Sequence, residues 1–207
     1  MSASASLPFL YLTKQNKPSP LTAPNFCMVL RKHIANGRII GITQPDLERI
    51  IQFEIEHLDE LGDLCHKKLI IELMGKHSNI IFCKEDGTII DSIKHVSAQI
   101  SSVREVLPGR PYFIPETQEK EDPLTVSEGA FVSAVCSKSA KLSKALYTSL
   151  TGISPVAAEE IVSRASLDSD RAANSYEPEE LIHLYRTFRR YLEPLTEGAY
   201  EPSIYYD

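Results

Sequence analysis

The chain has 207 residues, of which 43% are hydrophobic and 24% are charged, and its formal net charge is −6 at pH 7. This length suffices for one large or two small domains that each bury a core. The negative charge excludes a protein that coats nucleic acid through its overall charge, so any nucleic-acid contact must come from a local basic patch. The sequence has no apolar run long enough for a membrane helix and no basic-then-apolar leader. We therefore expect a cytoplasmic protein without a membrane partner.

The first part of the chain predicts a short strand, an irregular connection and a helix. Residues 9–12 have the composition of a strand, with no obvious hairpin partner before it. Residues 14–24 contain three prolines and are expected to be irregular. The helix begins at Pro24 or Asn25 and ends at Asn36-Gly37. Its apolar face comprises Phe26, Val29, Leu30 and Ile34, and its C-terminal end carries Arg31, Lys32 and His33.

After this helix the apolar period changes to two, which is typical of half-buried antiparallel strands. Residues 51–57 alternate apolar and polar side chains, and residues 68–74 and 79–84 form two further strands. Asp86-Gly87 is a favoured hairpin turn that leads into a returning strand over residues 88–96. An antiparallel meander of four or five strands is therefore predicted.

The segment Gly75-Lys76-His77-Ser78-Asn79 joins two of these strands. A glycine that tolerates positive φ, a cation, a titratable ring and two hydrogen-bonding side chains suit a phosphate, a sugar or a base. The same residue types dominate tight β-connections for conformational reasons alone. Basic residues also cluster at Arg31-Lys32-His33 with Arg38 and at Lys67-Lys68. Such clusters are usually solvated faces, so they support the binding hypothesis only weakly.

A linker and a change to helical periodicity divide the chain. Residues 107–123 are rich in prolines and charges, so we place a boundary near residue 118, between a β-rich domain over 1–118 and an all-helical domain over 119–207. The last helix starts near Pro178 and is expected to end at Glu193-Pro194, because the residue before a proline is pushed out of the helical region. The predicted fold class is α+β. The helical stripes are Ala130, Phe131, Ala134 and Val135; Leu142, Ala145, Leu146 and Leu150; and Leu181, Leu184, Tyr185, Phe188 and Leu192.

Residues 150–161 have the pattern of a helix–hairpin–helix turn. Gly152 can close the preceding helix with a positive φ, Ser154 can cap the next helix, and Pro155 occupies its first turn. Turns of this kind present backbone amides and a helix N-terminus to a phosphate. An ordinary helix junction uses the same residues, so both interpretations remain open.

No pattern typical of an enzyme site is present in the sequence. It contains no GxSxG elbow and no Gly-rich phosphate loop, and its six histidines lack HExxH or HxH spacing. We therefore expect no catalytic residue, no metal and no cofactor. Cys27, Cys65, Cys83 and Cys136 lack CxxC spacing and are expected to be reduced and mostly buried.

Four motifs in order carry a resemblance to a known family. They are FCMVLRKHI at residues 26–34, LERI at 47–50, ELMGKHSNII at 72–81 and REVLPG at 104–109. With them the chain resembles the N-terminal region of the NFACT family. Bacterial members of that family are labelled fibronectin-binding protein A and include the ribosome quality-control factor RqcH. The helical half extends the resemblance to nearly the whole chain.

The resemblance implies a cytosolic factor that binds the obstructed large ribosomal subunit, and hence rRNA, and recruits a tRNA, alanyl-tRNA in bacteria. The stalled chain then receives an untemplated tail. The peptide bonds form in the ribosome, so the resemblance implies that this chain is not the enzyme. It also implies a fold like that of formamidopyrimidine-DNA glycosylases, with a β-rich domain followed by a helix-two-turn-helix domain.

Within the family an Asp-Arg pair after the LRKH helix is tied to tRNA recruitment, and the matching positions here are Glu48 and Arg49. The alternative for this pair is an ion pair at a strand edge, which contributes little at a surface. Because the match begins inside the family pattern, we expect the first strands and helix of the family domain to be absent. The predicted nucleic-acid contacts are Arg31, Lys32, His33, Arg38, Lys76, His77, Ser78, Asn79 and Arg104.

Two other classes of function remain open. The first is a surface adhesin that binds fibronectin, which detection of the native protein on intact cells would support. The second is a glycosylase-like DNA-binding protein, which incubation of the full-length protein with damaged duplex DNA would test.

Overall fold

A computed structural model describes residues 1–15, 18–115 and 120–201. The chain forms two compact units, Met1–Glu116 and Thr117–Asp207. The boundary predicted near residue 118 lies outside the described residues. Among the helices that the structure describes, none has the length and apolar composition needed to cross a membrane.

The first unit is built on a five-stranded antiparallel sheet. Its strands are β3 (Arg38–Thr43), β4 (Ile50–Leu58), β5 (Leu64–Glu72), β6 (Asn79–Lys84) and β7 (Ile89–Ser92). They lie side by side in chain order. The predicted meander is therefore confirmed. A smaller pair, β1 (Ser2–Ala3) and β2 (Pro8–Phe9), precedes the sheet.

A helix, α1 (Asn25–Ile34), covers one face of this sheet. The sheet side chains on that face are Ile55, Leu69, Ile71, Ile80 and Phe82, and those of the helix are Phe26, Val29, Leu30 and Ile34. The predicted helical face is thus the one that packs. Strand side chains alternate between the two faces, so every second residue of each strand points to the face that carries this helix. The other face carries Ile50, Ile70, Ile81, Cys83 and Ile89.

Part of the predicted linker belongs to the first unit. Just before it, Val106 is buried, and its amide and carbonyl pair with those of Val96. Tyr112 and Ile114 pack on the sheet face opposite α1. The prediction of a linker from residue 107 was wrong here, because the periodicity of isolated apolar residues does not show that they cover a sheet.

Several strand predictions also differ from the structure. The strand predicted over residues 9–12 is limited to Pro8–Phe9, and it has a hairpin partner in Ser2–Ala3. The returning strand predicted over residues 88–96 is Ile89–Ser92. The free edge of this strand is hydrogen-bonded to the segment around Arg110, since the amide of Ile89 donates to the carbonyl of Arg110 at 2.8 Å.

The second unit is helical in the part that the structure describes. Its helices are α2 (Glu128–Cys136), α3 (Leu142–Ser149), α4 (Pro155–Arg164) and α5 (Pro178–Glu197). The rings of Phe131, Tyr185 and Phe188 meet in its core at centroid distances of 5.1 to 6.4 Å. With the sheet of the first unit, this confirms the α+β class.

The junction between α3 and α4 has the local geometry that the sequence predicts. Gly152 has a φ of 72°, and the Ser154 hydroxyl accepts the amide of Ala157 at 3.1 Å. Pro155 occupies the first turn of α4. Whether this turn binds a nucleic-acid backbone stays a prediction.

The end of α5 differs from the prediction. The helix continues through Pro194 to Glu197 and ends at Gly198, whose φ is 69°. A proline disfavours the helical region at the residue before it without forbidding that region, and one further turn ends at a glycine that takes the left-handed conformation at little cost.

Candidate nucleic-acid interface

The residues predicted to contact nucleic acid fall at two opposite ends of the sheet. Glu48 and Arg49 precede β4, and the Gly75–His77 connection lies beside them, since the Leu73 amide donates to the Arg49 carbonyl at 2.8 Å. The C-terminal end of α1 lies at the other end, where Arg38 pairs with Glu56 near the end of β4. The nine residues of β4 span about 26 Å at the usual rise of a strand. We call the first group, Glu48, Arg49, Lys76 and His77, the turn cluster, and the second, Arg31, Lys32, His33 and Arg38, the helix-end cluster.

In the turn cluster, a rigid turn holds Glu48 and Arg49. Asp46 has a φ of 43°, and the Glu48 amide donates to the Pro45 carbonyl at 2.9 Å. The Gln44 side-chain amide donates to the Glu48 carbonyl at 2.7 Å. Sequence reasoning missed Gln44. Nothing in the local pattern distinguishes a glutamine that hydrogen-bonds the backbone of a turn from one that faces solvent.

The side chains of Glu48 and Arg49 have no hydrogen bond or ion pair with any residue in the part of the chain that the structure describes. Arg49 is exposed and Glu48 is partly buried. The alternative of a strand-edge ion pair between them is therefore wrong. A guanidinium fixed at its backbone and free at its tip is available to a phosphate or a base edge.

The Gly75–His77 connection is a short 3₁₀ helix that begins with a φ of 55° at Gly75. Lys76 and His77 are exposed on it. The tight β-connection and the binding interpretation are thus compatible, since the glycine serves the turn while two side chains stay free.

Ser78 and Asn79 do not belong to this exposed group, although the sequence placed them there. Ser78 is fully buried, and its hydroxyl accepts the Met74 amide at 2.8 Å. Asn79 is 2% exposed, and its side chain exchanges hydrogen bonds with the backbone of Lys94 at 2.8 and 3.0 Å. The prediction that they contact nucleic acid does not fit this placement, because their polar atoms are already used inside the protein.

Arg104 is also engaged inside the first unit. One of its terminal nitrogens lies 2.6 Å from each carboxylate oxygen of the fully buried Glu72, and the other donates to the Phe113 carbonyl at 2.8 Å. The Tyr112 hydroxyl donates to Glu72 at 3.0 Å. Arg104 therefore neutralises a buried charge, and its predicted nucleic-acid contact does not fit this geometry.

The helix-end cluster combines exposed cations with a partly buried histidine. Arg31 and Lys32 are exposed, and Arg38 pairs with Glu56 at 2.7 Å. The ring centroid of His33 lies 6.0 Å from that of Phe82. Burial lowers the pKa of His33 below its ordinary value, and the nearby charges of Lys32 and Lys67 lower it further.

Sequence reasoning missed Lys84, which stands opposite Lys67 on the neighbouring strand. The signal was available in the sequence. If Glu72 and Asn79 are paired around the Gly75 turn, counting back along both strands brings Lys67 opposite Lys84.

Other titratable groups are used structurally. His95 lies 2.8 Å from the buried Asp91, which is an ion pair when the ring is protonated. No group of three or more His, Cys, Asp or Glu residues that could hold a metal ion occurs within residues 1–15, 18–115 and 120–201. All four cysteines are free, but only Cys83 is buried. The expectation that the thiols are mostly buried was therefore wrong.

Comparison with known proteins gives consistent results. The family model described as NFACT N-terminal and middle domains matches residues 1–207. The Rqc2 homolog RqcH of Bacillus subtilis is 40% identical over 168 residues, which are 81% of this chain and 30% of that protein. The archaeal Rqc2 homolog aRqcH of Methanocaldococcus jannaschii is 26% identical over 200 residues, or 95% of this chain and 28% of that protein. The chain thus spans less than a third of these two relatives.

Two solved structures share the fold at 30% sequence identity. The N-terminal part of the fibronectin/fibrinogen-binding protein from Streptococcus suis aligns with a TM-score of 0.73, over 93% of this chain and 66% of that one. The fibrinogen binding protein from Staphylococcus aureus aligns with a TM-score of 0.74, over 95% of this chain and 64% of that one.

Proposed function

The chain belongs to the NFACT family, as a match to the N-terminal and middle domains, and on this premise we propose that it is the RNA-binding part of a ribosome quality-control factor. In this role it binds the obstructed large ribosomal subunit in the cytoplasm and recruits a tRNA for untemplated tailing of the stalled chain. It makes no bond itself, because the ribosome forms the peptide bonds. Its contribution is to hold a tRNA in position.

The observation that carries this proposal is the free guanidinium of Arg49 on a braced turn. The Arg49 carbonyl accepts the amide of Leu73, the residue after β5, and the Gln44 side chain donates to the Glu48 carbonyl in the preceding turn. Because the backbone at Arg49 is already held in place, less conformational entropy is lost when its side chain binds a ligand. Arg49 donates to a tRNA phosphate or base edge, and Glu48 orients it. Lys76 and His77 add a second contact from the neighbouring connection.

The distribution of charge supports an extended, polyanionic partner. The chain is acidic overall, yet exposed cations lie at both ends of the sheet of the first unit, about 26 Å apart. A small ligand cannot reach both ends, whereas an RNA can contact both through separate phosphates. Because local cations supply these contacts, we expect binding to weaken steeply with salt.

The test is binding of the 207-residue chain to labelled tRNA and to purified large ribosomal subunits. We expect Arg49→Glu to weaken tRNA binding about tenfold or more, since hydrogen bonds to charged groups contribute about 1.5–3 kcal/mol. Arg186→Glu is the matched control, because it makes the same charge change at an exposed position of α5. Equal tRNA affinity of both variants and the unchanged chain would overturn the assignment of the turn cluster.

Fibronectin binding is the second candidate, and it rests on the name of one structural neighbour, the fibronectin/fibrinogen-binding protein of Streptococcus suis. The same preparation tested against immobilised fibronectin separates the candidates. Saturable binding to fibronectin that survives Arg49→Glu, with no binding to tRNA, would favour the second function.

A further inference from the structure

Two lysines face each other across neighbouring strands, and neither forms an ion pair within the described residues. Lys67 of β5 is the direct Cα partner of Lys84 of β6, and both side chains lie on the face that carries α1. Like charges directly opposite one another destabilise a sheet. Neither ammonium group makes a hydrogen bond or an ion pair with another residue in the described part of the chain. The pair is therefore a position where an anion would relieve repulsion.

A groove opens beside this pair at the end of α1. Its volume is about 660 Å³, and its lining includes His33, Lys67 and Lys84. The lining also contains the carboxylates of Glu85 and Asp86 in the β6–β7 turn, and hydrogen bonds from Thr88 together with the nearby charge of Lys84 lower the pKa of Asp86. The carboxylate of Asp86 accepts the Thr88 amide at 2.8 Å, so the turn already uses it.

His33 stands between the buried Phe82 and this groove. Besides burial, charged and titratable groups on four elements affect the pKa of its ring. Lys32 is on its own helix, His57 is on β4, Lys67 is on β5, and Glu60 is the opposing charge in the β4–β5 turn. The Nε2 atom of His57 is buried and has no hydrogen-bond partner among the described residues. His66, which also lines the groove, lies 3.8 Å from Glu56 and 3.7 Å from Glu85.

We propose that this groove binds a backbone phosphate of the recruited RNA, with Lys67 and Lys84 as its direct ligands and His33 as a third donor. The inference rests on the proposed function and adds to it a second contact, at the end of the sheet opposite the turn cluster. A phosphate between the two ammonium groups replaces their repulsion by two attractions. The open form of the groove admits a phosphate that continues into a chain on both sides.

Binding at this groove is coupled to a proton. In the free protein, burial and the charges of Lys32 and Lys67 lower the pKa of His33. A phosphate beside the ring favours the imidazolium, so it raises that pKa in the complex. The complex then holds more protons than its free components at a slightly acidic pH. RNA affinity therefore rises as the pH falls from 7 through the pKa of His33 in the complex.

The first experiment compares neighbouring residues of β5. Lys67→Gln removes a proposed ligand, whereas Lys68→Gln makes the same charge change on the opposite face of the same strand. We measure tRNA affinity of the 207-residue chain at several salt concentrations. Lys67→Gln should weaken binding about threefold to tenfold and reduce the slope of log K against log salt by about 0.9, the value for one lost phosphate contact. Lys68→Gln should leave the slope unchanged.

The second experiment follows the imidazole of His33 directly by NMR titration. Its pKa is measured in the free chain, with inorganic phosphate and with tRNA, and again in Lys67→Gln. We expect both anions to raise it in the unchanged chain and the rise to shrink in Lys67→Gln. A rise with inorganic phosphate but none with tRNA would show an anion site that RNA does not use, and would overturn the RNA assignment.

The outcomes separate this inference from the proposed function. If tRNA binds and depends on Arg49, but Lys67→Gln behaves as Lys68→Gln and the His33 pKa does not move, the groove is not a phosphate site and the function stands. If tRNA does not bind at all while inorganic phosphate raises the His33 pKa, the proposed function fails and the groove remains a site for free phosphate.

Discussion

Replacement of Arg104 by alanine gives the sharpest test of how the first unit is held together. Glu72 is fully buried. Its carboxylate accepts hydrogen bonds from Arg104 at 2.6 Å and from the Tyr112 hydroxyl at 3.0 Å. The side chain of Arg104 is itself only 13% exposed. Burial raises the pKa of Tyr112, and the carboxylate of Glu72 raises it further, so the phenol stays protonated as a donor. Arg104→Ala leaves a buried carboxylate with one donor in place of two.

The magnitude follows from the burial of this pair. Removal of one partner of a buried ion pair destabilises a protein by about 3–5 kcal/mol. A typical urea dependence of about 2 kcal/mol per molar turns this into a fall of about 2 M in the unfolding midpoint. Tyr112→Phe removes a single hydrogen bond to the same carboxylate and should lower the free energy of unfolding by about 1.5 kcal/mol.

The assay is urea unfolding of the 207-residue chain, followed by a probe in the first unit, with tRNA affinity measured separately on the folded variant. Arg104→Ala should shift the midpoint strongly and leave the tRNA affinity of the folded protein near that of the unchanged chain. An unchanged midpoint combined with lost tRNA binding would refute the reasoning, because it would make Arg104 a contact residue, as the sequence suggested.

Three further outcomes are expected. The pKa of His33 is lower in the folded chain than in the unfolded chain, so the unfolded chain binds the proton first as the pH falls. The contribution of neutral His33 to the free energy of unfolding is therefore present above about pH 6.5 and is lost as the pH falls through the folded-state pKa. Between pH 7.5 and 5, the free energy of unfolding should fall more steeply in the unchanged chain than in His33→Gln. Ser154→Ala removes the cap of α4 and should lower the free energy of unfolding by about 1 kcal/mol, with Ser139→Ala, an exposed serine outside the helices, as a control that changes it little. Burial raises the pKa of Cys83 to about 12, so iodoacetamide at pH 8 should modify the partly exposed Cys27, Cys65 and Cys136 before Cys83, as mass spectrometry of the native chain can determine.

Local periodicity predicted most of the regular elements. The alternation over residues 51–57 became β4, and the apolar stripe of α1 became the face that covers the sheet. The Gly152, Ser154 and Pro155 pattern gave the junction before α4. These features depend on backbone preference and on the spacing of side chains within a few residues, which a sequence contains in full.

Local periodicity could not predict contacts between segments that are distant in the sequence. The chain after Val96 reads as irregular, yet Val106, Tyr112 and Ile114 cover one face of the sheet. Its packing depends on the sheet that it meets, which local periodicity does not describe. The buried bond between Glu72 and Arg104 joins residues 32 positions apart for the same reason.

For the candidate site, the sequence by itself determined which chemistry is available and the order of its motifs. Residue types and spacing gave the motif series, the lack of an enzyme pattern and the prediction of a contact at Lys76, while the resemblance to the NFACT family gave the prediction of a tRNA contact at Arg49. The tertiary structure decided which of those groups are free. It buried Ser78 and Asn79, bound Arg104 to Glu72, and brought Lys84 opposite Lys67. A polar side chain can face solvent or satisfy a buried partner, and only the placement of the strands around it determines which.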